Sequence, residues 1–365
     1  MNEHKTEFDV IRLIAIFLVI FNHTGTYGFT YFVTYFDWSE MTPISSSYWL
    51  YMIPSIICKA AVPLFFMISG ALLLGKDESL RHILTKRVAK YAVILLSVSV
   101  LYYLRSVMSA HDSFSLSGFI KLFCTGKVSE HLWFLYCYIA FLMFLPLLRR
   151  LKELILRENL KYLILLSVFV NGFVPIFLFL FEAEIPSKLH GFICHSFSYI
   201  FLFPLTGYGC SKYRPKRRDR LILVLLSLVS FVPVMILTFV NMKYKGFGVT
   251  ADEGVLIRYW DCFAEIRAIA IFAVISFVIS RATVSNDLKD LLNEGGKCVF
   301  GVYLIEPVIQ YSSVFYVLLI KAGEILPVFA GVLIHTLLVF IVTVSIVFVS
   351  RKLIKSIHRD GVGNR

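Results

Sequence analysis

This chain has little charge for its length. Asp, Glu, Lys and Arg make up only 16% of its 365 residues, against 58% hydrophobic ones, and the mean hydropathy is +0.78. That balance excludes a string of soluble domains, which the length alone would allow. Cysteine is present without paired spacing. Cys58, Cys137, Cys194, Cys210, Cys262 and Cys298 lie in or beside apolar runs and Cys124 in a loop, so neither a disulfide framework nor a zinc site is indicated. There is no phosphate-cradling G-x-x-x-x-G-K-[ST] loop, no G-x-G-x-x-G after a strand, no G-x-S-x-G elbow and no H-E-x-x-H. No long internal repeat or low-complexity tract is visible. The first apolar run has neither a basic leader nor a small-residue cleavage site, and is kept as a span.

What is there is a succession of apolar runs long enough to cross a bilayer. They fall at roughly 8–27, 49–75, 88–108, 131–149, 160–181, 190–211, 220–241, 262–280, 298–320 and 325–350. The expected fold is an all-α polytopic bundle of about ten transmembrane helices, a single domain over 1–365 with no appended soluble domain. The Lys and Arg residues behind the net charge of +12 cluster in short loops, which argues against nucleic acid and for topology and anionic lipid head groups. Basic clusters fill 76–90, 149–161, 212–220 and the tail after 350, whereas 28–48 has no Lys or Arg. By the positive-inside rule both termini are cytoplasmic, in a multi-pass protein of a bacterial cytoplasmic membrane.

Against that background the first span is anomalous, because it holds Asp9, Arg12 and His23. Ionisable groups at membrane depth are costly and mark function by default. The Arg12–His23 spacing is about 1100° of helix, three turns plus roughly 20°, and about 16 Å of rise. Both side chains therefore lie on one stripe, and Asp9, three residues before Arg12, is placed to pair with it. The stripe reads as one wall of a polar cavity.

Other spans carry polar residues too. The second contains Pro54, Lys59 and Pro63, fitting either a kinked structural helix or a cavity-lining one. Glu-His-Leu-Trp-Phe-Leu at 130–135 places Trp133 at a rim and His131 on the side expected for His23. His190 and His195 lie in the sixth span, Glu265 and Arg267 in the eighth, Glu306 in the ninth and His335 in the tenth.

Taken in order, these stretches resemble the acyltransferase-3 family of bacterial membrane O-acyltransferases. Arg12, ten residues, then His23 resembles the family's first-span element, with Asp9 upstream. Val-Pro-Leu-Phe-Phe-Met-Ile-Ser-Gly at 62–70 resembles its second-span pattern. Lys86, Arg87 and Lys90 stand where the family has a basic pair. Leu-Trp-Phe-Leu at 132–135 with Pro146, and Gly-Val-Tyr-Leu-Ile at 301–305, complete the series. Many members have His directly after Tyr-Leu-Ile, and this chain has Glu306. The reading adopted is that Glu306 pairs with a neighbouring group.

The resemblance implies acyl-CoA, with acetyl-CoA the first choice, as a cytoplasmic co-substrate rather than a bound cofactor. It implies a hydroxyl acceptor on a cell-envelope polysaccharide, lipid-linked sugar or peptidoglycan. Histidine has a pKa suited to taking a hydroxyl proton, so His23 is the expected base, with Asp9 and Arg12 beside it. Arg12, Lys59, Arg87 and Lys90 are expected at the donor, and Ser69, Trp133 and Glu306 at the substrate. A covalent acyl-enzyme is disfavoured, since no Ser or Cys is visibly paired with a base. A related module fused to serine racemases handles serine transport, so the alternative is a pathway for a small polar solute through the same cavity.

Overall fold

The computed structural model describes residues 5–32, 36–37, 42–43, 47–110, 113–158, 160–181, 197–245 and 261–362. These are almost wholly helical; the exception is a two-residue antiparallel pairing of Phe36–Asp37 with Thr42–Pro43. The first run forms α1 (Thr6–Phe32), whose first turn holds Glu7 and Asp9, a placement that favours the helix dipole. The second is broken into α2 (Ser47–Cys58) and α3 (Ala61–Leu73). Pro63 explains the break. It has no N–H to donate and its ring crowds the carbonyl four residues back, and the helix opens there, at Lys59 and Ala60. After the cap at Ser79, a π-helical segment Ile83–Val88 leads into α4 (Ala89–Ala110). A turn at Glu130–Leu132 opens α5 (Trp133–Glu158). The later helices used below are α6 (Phe203–Tyr213), α7 (Cys262–Arg281), α8 (Asn286–Gln310), α9 (Ser313–Ile325) and α10 (Val328–Val362).

Among the described residues, six helical stretches are long and apolar enough to cross a membrane: Ile53–Leu73, Leu80–Ala110, Glu130–Glu153, Arg217–Leu237, Cys262–Arg281 and Phe329–Ser356. The ninth apolar run is bent by 73° between α8 and α9, and counts as a seventh if taken as one span. The run at 160–181 gives a shorter apolar helix, Tyr162–Phe177, interrupted by a π-helical segment at Phe169–Phe173. The run at 190–211 is described only from residue 197.

α1 is the hub, packed against α3, α7, α8 and α10, with Ile11, Ala15, Ile16 and Ile20 fully buried. The tightest crossing is α3 on α6. A β-carbon at Gly70 would stand 2.0 Å from the Pro204 carbonyl oxygen, and one at Gly207 would stand 2.1 Å from that of Met67. Neither position has room for a side chain. In a bilayer, where lipid is as apolar as Leu, close packing through small residues is what holds helices together. Aromatic contacts extend this core: Phe66 stacks on Tyr199 at 5.0 Å and meets Phe134 edge-on at 5.3 Å.

The basic clusters are gathered at one end of the bundle. Glu78 bonds both Arg87 and Arg149, Lys212 pairs with Glu153 at 2.9 Å, and Arg351 donates to the carbonyl of Lys297. Arg149 and Lys152 also donate to the Leu73 and Leu74 carbonyls, satisfying acceptors left open at the end of α3.

Candidate active site

A cavity of about 410 Å³ opens along the α1 stripe, and its wall runs from Arg12 through Val19 to His23. α3 adds Val62, Phe65, Ile68, Ser69 and Leu72 at helical spacing. α4 and its lead-in add Arg87 and Tyr91, α5 adds Trp133, Phe134 and Tyr138, and α8 adds Lys297, Phe300 and Tyr303. The lining is therefore apolar in its middle and cationic at the end where the basic loops gather. His131 lines it at the far end, with His23.

Each of the three cations is held by a carboxylate. Arg12 bonds Asp9 at 2.8 Å, Arg87 bonds Glu78, and Lys297 bonds Glu294 at 2.7 Å. Asp9 is 1% exposed and packs directly on α8, where a β-carbon at position 296 would fall 2.5 Å from its Oδ1. Gly296 thus lets α8 approach the Asp9–Arg12 pair. Glu78 lies between two spans. The hydrogen bonds from Arg87, then those from Arg149, lower its pKa to about 2 from an ordinary 4.5, against burial, which pushes it up.

At the other end of the stripe, His23 Nδ1 lies 3.0 Å from Oε2 of Glu306, a carboxylate 1% exposed. Against a carboxylate that only accepts, Nδ1 would carry the imidazole proton and Nε2 would be left as the basic nitrogen. One residue before His23, Asn22 Oδ1 accepts from Lys59 Nζ at 2.9 Å. Lys59 stands at the break between α2 and α3 and is only 2% exposed. The opened turn thus holds a buried ammonium that braces the end of the stripe.

A second cavity, also of about 410 Å³, lies beyond this point. His23 and His131 line both cavities. The second is also walled by Tyr102, Arg105, Ser106 and Ser109 of α4, by Ser129 and Glu130, and by Pro307 and Tyr311. His131 is fixed by Ser129 Oγ at 2.9 Å from its Nδ1 and by the Tyr102 ring, 4.8 Å away. Its Nε2 is buried with no hydrogen-bond partner among the described residues.

Of the residues expected from sequence, the structure brings Arg12, His23, Ser69, Arg87 and Trp133 to one cavity. Asp9 stands behind Arg12, and Glu306 stands behind His23. Lys59 and Lys90 do not line the cavity. Lys59 is turned to Asn22, and Lys90 is exposed beside the Tyr91 ring at 5.9 Å. Trp133, read as a rim anchor, lies inside, its ring 5.5 Å from that of Tyr199. His335 bonds the Phe315 carbonyl and is structural, while His190 and His195 lie outside the described residues. Sequence reasoning missed Glu78 and Lys297, and it missed the Tyr102–Arg105–Ser106–Ser109 face of α4. That face carries a readable signal, since its spacing is i, i+3, i+4, i+7.

The family model described as an acyltransferase domain matches residues 5–351 of the chain, which takes in every residue of both cavities. The match lends no support to a solute pathway. No curated protein and no solved structure matches the chain.

Proposed function

Since the chain belongs to the acyltransferase-3 family and is built of membrane-spanning helices, we propose that it moves an acetyl group from acetyl-CoA to a hydroxyl of a cell-envelope glycan or lipid-linked sugar. The observation that carries this reading is that His23, held by Glu306, sits where the two cavities meet. Two substrates arriving from opposite ends would meet at that histidine and nowhere else along the stripe.

In this reading the basic end of the bundle faces the cytoplasm, both termini lie there, and the chain crosses a bacterial inner membrane about ten times. The CoA phosphates rest on Arg12, Arg87 and Lys297 at the mouth, where charge-assisted bonds favour them. The pantetheine arm follows the apolar middle past Phe65, Ile68 and Phe134, which delivers the thioester to His23. The acceptor hydroxyl enters from the second cavity. His23 Nε2 takes its proton, the oxygen attacks the thioester carbonyl, and the departing CoA sulfur recovers the proton from His23. Glu306 fixes the tautomer and favours the imidazolium that forms in between. His131, as the neutral Nε2–H tautomer with Nδ1 accepting from the Ser129 hydroxyl, supplies a donor to the oxyanion at the same junction.

Purified protein supplied with acetyl-CoA and an envelope glycan fraction should release CoA as the glycan gains one acetyl mass per transfer. Failure of any acyl-CoA to give such a gain would end this reading.

A further inference from the structure

The second cavity differs from the first in how it treats its cation. At the basic mouth, Arg12, Arg87 and Lys297 each have a carboxylate partner. Arg105, in the second cavity, is only partly exposed and makes no ion pair among the described residues. Its place is not that of a lipid-facing residue. Tyr102, one turn earlier, and Ser109, one turn later, line the same cavity, and the Tyr102 hydroxyl bonds the Leu304 carbonyl at 3.0 Å. The face of α4 that carries Arg105 therefore points into the bundle. Glu130 borders the cavity too, but no bond or ion pair joins it to Arg105. The two charges are left open to whatever fills the space.

We propose that this cavity is a binding site for a hydroxylated molecule that bears an anionic group, carboxylate or phosphate, with Arg105 as the residue that selects the charge. A guanidinium offers a planar fork that takes two oxygens of a carboxylate or phosphate at once. Glu130 and Ser106 supply acceptor and donor groups for hydroxyls, and the Tyr102 and Tyr311 rings give flat surfaces for a sugar. Because His23 and His131 close the inner end, a ligand anchored by its anion on Arg105 presents a hydroxyl to the junction. Calling that ligand the acyl acceptor rests on the acyl-transfer reading; the anion site itself does not.

The test uses the full chain in nanodiscs of phosphatidylcholine, with no acyl-CoA present. Binding of glucuronate, glucose 6-phosphate and glucose is compared by titration calorimetry. The two anionic sugars should bind at least about 10-fold more tightly than glucose, the scale of one charge-assisted pair. Arg105→Gln should erase that preference, Arg105→Lys should retain part of it, and Arg105→Glu should transfer it to glucosamine. Equal binding of all three sugars, no binding of any, or an unchanged preference in Arg105→Glu would overturn the proposal. Repeating the titration with phosphatidylglycerol in the nanodisc separates two sources of the same chemistry. Competition assigns the site to a lipid phosphate with its glycerol hydroxyls, and lack of competition assigns it to an acidic sugar. A protein that binds glucuronate through Arg105 but never acylates anything would keep this site and remove the acyl-transfer reading.

Discussion

His23 on α1 and Glu306 on α8 meet at 3.0 Å although 283 positions separate them in the chain. The pair sets the first expectation of the acyl-transfer reading. General-base catalysis is typically worth about 10²–10⁴-fold, so His23→Ala should slow acyl transfer by that factor. Donor affinity should hold, because Arg12 and Arg87 lie at the far end of the cavity. Activity within a few-fold of wild type would remove His23 from the chemistry and leave His131 as the next candidate.

Glu306 should show itself through kcat. The amide of Glu306→Gln can turn its NH₂ toward Nδ1 and stabilise the wrong tautomer, a change that costs up to about 10⁴-fold where a carboxylate orients a catalytic histidine. Glu306→Leu should lose as much and also melt earlier. A kcat near wild type in Glu306→Gln, with donor Kd unchanged, would show that the carboxylate only fills space.

Arg87 and Lys59 should separate. Arg87 lines the cavity, so Arg87→Ala should weaken CoA binding and blunt its salt dependence. Lys59 is engaged by Asn22, so Lys59→Met should leave the CoA Kd within about 2-fold, a small fraction of a tenfold step. Equal losses in the two variants would return Lys59 to the donor site.

Glu78 gives a pH signature. Its pKa is lowered on folding, to about 2 from 4.5, so its stabilisation is fully present above 4.5 and lost as pH falls through about 2. The difference in melting temperature between wild type and Glu78→Gln should be constant above pH 4.5 and should close below it. A difference that grew on acidification would contradict the Arg87–Glu78–Arg149 cluster.

Gly70→Ala tests the α3–α6 crossing. A β-carbon 2.0 Å from a backbone oxygen forces the helices apart, so destabilisation at or above the usual overpacking range of about 1–3 kcal/mol is expected. Gly75→Ala, whose new atom would meet only the Tyr208 ring at 3.4 Å, is the control.

Much of this was legible in the residues. Hydropathy marks ten apolar runs, of which six, or seven with the bent pair, form helices long and apolar enough to span among the described residues, and the Arg12–His23 spacing marks a cavity wall, because helical periodicity is local. The charge at position 306 was readable as an anomaly, but not its partner, since nothing near Glu306 in sequence points to His23. Lys59 shows the same limit. A lysine in a span invites a phosphate reading, and only the fold reveals that the turn broken by Pro63 aims it at Asn22. Arg149 and Lys152 looked like topology charges, and they also close the carbonyl end of α3. The bend after Gln310 has no proline at the break itself, and Pro307 upstream gave too little warning.

The polar pairs also differ in when they can form. Asp9–Arg12 and Glu294–Lys297 are three residues apart and close as soon as their helices wind. Lys59–Asn22 needs a second helix, 37 residues on. His23 must wait for a residue 283 positions later, on the order of 15–60 s of synthesis at about 5–20 residues per second. Through that interval the nascent chain has the Asp9–Arg12 ion pair at one end of α1, with His23 at the other end still to meet Glu306. A chain released before residue 306 would lack the carboxylate that meets His23.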